Sequence, residues 1–322
     1  MLRANQPKIE VAALSAAAKN ITEQLKEQSI HYQQRCLILL DPFLTPLNDP
    51  IIDYCAGRRQ LYPVPIMHPS IQANKRPLLL ELDLTNLFEQ QVLSYTVDKA
   101  LSQLSAEYLS YGGGQQYCAW LFTQSPALQV ARDLANLCIQ KRQRKTFFLR
   151  FYDPAIFAQL MSVLEPHQQT KLVGQISHWG RLNYTGELVM HSTDQPLKPV
   201  LSGQLGLFDE QLDQLYCIGI NNQIIQTQRI MQPTMPIDPI GSLKHITPCV
   251  MRMLAKSIKD DPLLVKWATL AIKFGADFDL EPLIQNKIQH LTKSQQYDAI
   301  CNELNALSHD DWQVRQQGIR DE

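Results

Sequence analysis

The sequence predicts an α/β N-terminal lobe, a mostly parallel sheet with flanking helices, followed by a smaller all-α C-terminal lobe. Two observations carry this reading. Apolar runs of strand length at 35–40, 77–83, 117–123 and 146–152 alternate with helical periodicity at 9–28, 86–109 and 126–140, as in strand–helix–strand units. After residue 241 only helical periodicity remains. Between the two regimes, residues 231–241 carry Pro233, Pro236 and Pro239 and cannot continue a helix. The expected organisation is an α/β lobe over 1–230, a linker over 231–241 and a helical lobe over 242–322.

Each element has its own justification. Ile9, Ala12, Ala13, Ala16, Ala17, Ile21 and Leu25 form one helical stripe rich in small residues. The strand at 35–40 ends at Asp41-Pro42, and Asp49-Pro50 opens a short helix. Residues 61–67 are extended and Pro-rich, which suits an edge strand or loop. A strong strand at 77–83 leads into a broken helical stretch. Gly112, Gly113 and Gly114 punctuate the chain before the strand at 117–123.

The most informative stretch is 145–164, KTFFLRFYDPAIFAQLMSVL. Residues 146–152 are apolar and aromatic with Arg150 as the one charge, the composition of a buried strand. Asp153 is a good N-cap and Pro154 is favoured at the first helical position. Ile156, Phe157, Leu160, Met161 and Leu164 then recur at helical spacing. A guanidinium in an apolar strand must find a carboxylate, a carbonyl or water. The structural reading of Arg150 is an ion pair under a loop; the functional one is a recognition surface shared with Asp153.

Further on, 166–174 reads as a short helix, 179–191 as a hairpin or irregular strands, and 209–216 as helix. In the C-terminal lobe Asp261-Pro262 starts a helix. Its buried stripe is Leu263, Leu264, Trp267, Leu270, Ala271 and Phe274, and Gly275 is its stop. A helix at 282–291 follows, and Tyr297, Ile300, Cys301, Leu304 and Leu307 mark the last.

Composition narrows the function. A formal net charge of -1 gives no basic face for nucleic acid. The one basic cluster, 141–145, reads as a solvated helix C-terminus. Seven Cys without short spacings argue against a disulfide framework or paired-thiolate zinc sites and fit a reducing cytosol. No run of about twenty apolar residues exists and no apolar leader segment is seen, so a cytoplasmic protein without a membrane span is expected.

No catalytic constellation emerges. The glycine triplet precedes a strand and lacks phosphate-loop spacing. Eight His show no close pair, and His178 beside Trp179 reads as a core or interface residue. Neither a cofactor nor a metal is implied. The strongest enzyme reading takes Asp41, Asp83 and Asp153 as carboxylates at the carboxyl ends of parallel strands, where α/β ligands bind. It would make the chain a hydrolase or phosphotransfer enzyme. The competing reading gives all three turn and cap roles. A structural subunit of a larger assembly is a further alternative.

Arg150-Phe151-Tyr152-Asp153-Pro154, followed by an apolar helix, resembles the signature segment of the type VI secretion effector-adaptor (chaperone) family. Leu40-Asp41-Pro42, the strand at 77–83, Ser177-His178-Trp179-Gly180 and the helical end add to the resemblance, which spans about 35–230. It implies an α/β lobe, a helical lobe and no catalysis. It implies a secreted toxic effector as partner, escorted to the valine–glycine-repeat spike protein. It also marks Asp41, Arg150, Tyr152, Asp153, Pro154, His178 and Trp179 as signature or partner-binding residues.

Overall fold

Six strands form one sheet in the order β2-β3-β1-β4-β7-β8, every neighbouring pair antiparallel. They are β1 (Arg35–Leu40), β2 (Leu61–Pro63), β3 (Leu78–Asp83), β4 (Tyr117–Phe122), β7 (His178–Leu182) and β8 (Leu188–Ser192). A separate two-stranded hairpin pairs β5 (Ile139–Arg142) with β6 (Lys145–Phe148). The computed structural model describes residues 14–45, 49–56, 60–111, 113–143, 145–193, 204–235, 237–288, 291, 294–308 and 310–313.

The expected parallel sheet is therefore corrected to an antiparallel one, for two physical reasons. Both faces of the sheet are buried. Cys36, Ile38, Leu80, Leu82, Trp120 and Phe122 join one core cluster, while the alternating Leu37, Leu39, Leu79, Ala119 and Leu121 are buried too. Burial on both faces produces the continuous apolar strands usually seen in parallel sheets, whatever the strand direction. The second reason is topological. Helix α3 (Leu87–Ser102) connects β3 to β4, which do run parallel, but β1 sits between them and pairs with both.

On the first face lie α3 and α1 (Ala16–Ile30), which pack on each other and on the central strands. In α1 the buried residues are Ala18, Ile21, Thr22, Leu25 and Ser29. Ala16 and Ala17, expected on the stripe, are exposed, and Ile9, Ala12 and Ala13 lie outside the described residues. Helix α5 (Ala127–Leu137) packs on β2 and β3. The short helices α2 (Pro50–Cys55), α4 (Ala106–Ser110) and α7 (Pro166–Val173) complete this part.

The chain packs as two units. One holds Met1–Phe157 with Leu164–Leu207; the other holds Ala158–Val163 with Phe208–Glu322. Helix α6 (Pro154–Val163) contributes its start to the first and the rest to the second. The second unit is helical across its described residues: α8 (Asp209–Met231), α9 (Pro239–Ala255), α10 (Asp261–Phe274), α11 (Pro282–Ile288) and α12 (Ser294–Asn305). The Pro-rich stretch lies inside this unit, between α8 and α9. The α10 stripe is buried as the periodicity predicts, though Asp260 rather than Asp261 is the N-cap.

The hairpin corrects two further expectations. The aromatic segment is not a buried strand over 146–152. Strand β6 ends at Phe148, its first two residues are exposed, and 149–153 turns into α6. Of the basic cluster at 141–145, Lys141 and Arg142 end β5 and Lys145 begins β6, so these residues belong to the hairpin and not to a helix C-terminus, while Arg144 lies outside the described residues.

Gly180 sits in β7 between Trp120 of β4 and Met190 of β8. A Cβ there would meet Met190 Sδ at 2.8 Å and Trp120 O at 3.3 Å. Gly180→Val should destabilise the fold by about 1–3 kcal/mol through overpacking. Urea unfolding checks this, with Gly180→Ala expected to fall between the two.

Candidate functional site: a cavity beside Arg150

Asp41 ends β1. Its backbone N–H donates to Gln116 O at 2.8 Å, and its Oδ1 accepts from Phe43 N at 2.9 Å, closing an Asx turn over Pro42. The carboxylate is 1% exposed. Arg150 meets it there: Nη2 donates to Asp41 Oδ2 at 2.9 Å. The same Nη2 lies 3.4 Å from Asp153 Oδ2. Asp153 Oδ1 accepts from Ala155 N at 3.0 Å, capping α6 with Pro154 as its first residue. One guanidinium thus ties the end of β1 to the start of α6.

Burial pushes the carboxyl groups of Asp41 and Asp153 above the usual carboxylate range. The Arg150 charge opposes this at both, and Lys75 adds a weaker pull on Asp41. The Tyr152 phenol is also pushed up, chiefly by burial and then by Asp41.

Beside Arg150 opens a cavity of about 380 Å³, within the usual range for binding pockets. Phe43, Ile71, Phe148 and Tyr152 form its apolar walls, and Ser70 and Gln72 are polar. Lys75 and Arg150 bring two cations against the single carboxylate of Asp41. Lys75 Nζ stands 5.1 Å over the Phe43 ring, and the Arg150 guanidinium 5.9 Å from the centre of Tyr152. The His68 ring stacks on Phe148 at 6.2 Å. Phe43 is 61% exposed, and Met67, next to His68 in the chain, is 79% exposed. Aromatic walls, paired cations and exposed apolar residues suit recognition of another molecule.

Of the residues singled out in the sequence, Asp41, Arg150, Tyr152, Asp153 and Pro154 come together here. His178 and Trp179 do not line the cavity. His178 is half-buried, its Nδ1 hydrogen-bonded with Tyr32 OH at 2.8 Å, and burial holds its pKa below the usual histidine value. Trp179 is fully buried and stacks on Phe157 at 4.7 Å. Trp179 thus occupies a core position with no exposed surface.

Of the three strand-end carboxylates, Asp41 and Asp153 meet at Arg150, and Asp83 lies apart from them. Asp83 pairs in register with Arg35 at the start of β1, whereas Asp41 follows the end of that strand. An antiparallel sheet puts them at opposite edges. Asp83 Oδ1 accepts from Thr85 N and Oγ1 at 3.0 and 2.7 Å, a turn role. Among the described residues no group of three His, Cys, Asp or Glu could hold a metal ion. Among them, too, no helix is long and apolar enough to cross a membrane.

Sequence reasoning missed Phe43, Lys75 and Arg181. The first two lie in unpatterned segments with no local signal. Arg181 did carry one, the same lone charge in an apolar strand that singled out Arg150. It is 7% exposed, and its Nε donates to His191 Nε2 at 3.1 Å. An accepting Nε2 requires a neutral ring, in keeping with a His191 pKa pushed down to about 4 by burial and Arg181.

Residues 71–171 match the family described as Domain of unknown function (DUF4123). The matched span contains six of the nine residues lining the cavity: Ile71, Gln72, Lys75, Phe148, Arg150 and Tyr152. Comparison with curated proteins finds no match, and comparison with solved structures finds none.

Arg150→Ala leaves Asp41 buried without its cation and should cost about 3 kcal/mol. Without the guanidinium the folded-state pKa of Asp41 rises further above its unfolded value. The folded state then binds the proton more tightly, so the deficit should be largest near neutral pH and shrink as pH falls. Urea unfolding at several pH values reads this; a deficit independent of pH would exonerate Asp41. Asp153→Ala should cost about 1 kcal/mol, as loss of a helix cap, in the same assay.

Proposed function

We propose that this protein is a non-catalytic adaptor of the bacterial cytoplasm. It binds a type VI secretion effector and helps load it onto the valine–glycine-repeat spike. The observation that carries the reading is the match of 71–171 to DUF4123, a family associated with type VI secretion effectors. That match falls on the segment that builds most of the Arg150 cavity.

The geometry supports a binding role in two ways. An escort needs accessible apolar surface with a polar rim. Phe43 and Met67 supply exposed apolar side chains, and Lys75, Ser70 and Gln72 supply polar ones. Of the three carboxylates of the enzyme reading, Asp83 lies at the opposite end of the strands from Asp41.

The test is co-purification of the tagged chain with the proteins encoded beside it. A stable complex with a toxin-like neighbour, and better solubility of that neighbour, is the expected result. Capture of no such protein would refute the adaptor reading. The double variant Phe43→Ser, Met67→Ser should weaken capture by roughly tenfold, as loss of central apolar anchors does. Its thermal midpoint should match that of the unsubstituted protein, since both side chains are already exposed.

A further inference from the structure

We infer that the Arg150 cavity receives an acidic peptide segment of the partner, its carboxylate on Lys75 and a neighbouring aromatic or branched side chain against Phe148 and Tyr152. The partner's identity rests on the adaptor reading; the chemistry of the segment rests on the cavity.

The charges of the lining are not balanced within it. Asp41 is committed, with Oδ2 on Arg150 and Oδ1 on Phe43 N, and is nearly inaccessible. Lys75 has no carboxylate within ion-pair distance among the described residues; its contact is the face of Phe43. Arg150 also meets Asp153 at 3.4 Å, so its charge is answered within the protein; the cation of the lining left without a carboxylate partner among the described residues is Lys75, and the group that complements it is an anion.

Two features make that anion part of a polypeptide. The walls around the cations are aromatic and aliphatic, which rewards an apolar group next to the carboxylate. Phe43 is both wall and exposed surface. An occupant that covers it must extend beyond the cavity, as a chain segment does and a small free anion does not.

The test pans a phage-displayed random nonapeptide library on the immobilised full-length chain, then measures the selected peptides by fluorescence anisotropy. Peptides with Asp or Glu next to Phe, Tyr, Leu or Ile should be enriched. Binding should fall at least about tenfold in Lys75→Glu and in Gln72→Glu, and persist in Lys75→Arg, as for a charge-assisted contact. Both positions are accessible, and thermal melts confirm folding. Selected peptides without acidic residues, no selection at all, or equal binding by Lys75→Glu would overturn the inference. So would an anion site that takes inorganic phosphate and no peptide. The effector capture assay runs in parallel. Capture undiminished in Lys75→Glu removes the cavity as docking site and leaves the adaptor reading intact. No capture by the unsubstituted chain removes the adaptor reading, while the panning result still decides the chemistry of the cavity.

Discussion

The burial of Asp41 is the constraint on which the rest of the site depends. A carboxylate taken out of water needs a cation and hydrogen-bond donors, or it destabilises the fold. Asp41 gets both from chain segments far apart in sequence: Phe43 N from its own turn, and Arg150 from the link between β6 and α6. Arg150 in turn holds Asp153, whose other oxygen caps α6. The helical unit uses the same device. Asp279 is nearly inaccessible, and Arg252 meets it with Nε on Oδ2 at 2.8 Å while Nη2 reaches Ala276 O at 2.7 Å. In each case one arginine ties a helix or helix start to a nearly inaccessible carboxylate of another segment.

A second buried carboxylate braces the first. Asp49 caps α2 through Ile51 N and also accepts from Tyr95 OH and Gln116 Nε2, both at 2.8 Å. Gln116 is exchanged in turn with Gln103, and its carbonyl takes the backbone N–H of Asp41. The donors to Asp49 among the described residues are neutral, so its charge is shared over a chain of amides and a phenol. Such a network rigidifies when every member is satisfied. It anchors α2, α3 and the start of β4 to the turn that carries Phe43.

Local chemistry was legible in the sequence, and direction was not. Asp49-Pro50, Asp153-Pro154 and the α10 stripe behave as capping and periodicity require, because those rules act within one turn of helix. The strands at 35–40, 77–83 and 117–123 appear within a residue or so of where apolar runs placed them. Strand direction depends on which strand inserts between which, and apolar runs carry no such information. The aromatic content of 146–152 misled for a related reason. Phe151 does reach the core and Tyr152 is buried, but they do so from a turn, with Phe147 and Phe148 only half covered. The site was half legible: Arg150 stood out as a lone charge, and its partner Asp41 followed an apolar strand. Phe43 and Lys75 became visible only once the fold placed them beside Arg150.

That division of residues bears on how the site works. Arg150, Asp41 and Tyr152 are mostly or wholly committed to the protein's own structure, so they set the floor and charge of the cavity without being free to adapt. Lys75, Gln72 and Phe43 are accessible and make few internal contacts, so they can change partners at little cost to stability. A rigid, charge-paired floor lowers the ordering cost that any occupant would otherwise impose. On the adaptor proposal, the accessible residues around it would set what is recognised. Within the RFYDP segment, Arg150 is tied first to the fold through Asp41 and Asp153, and it lines the cavity together with Tyr152.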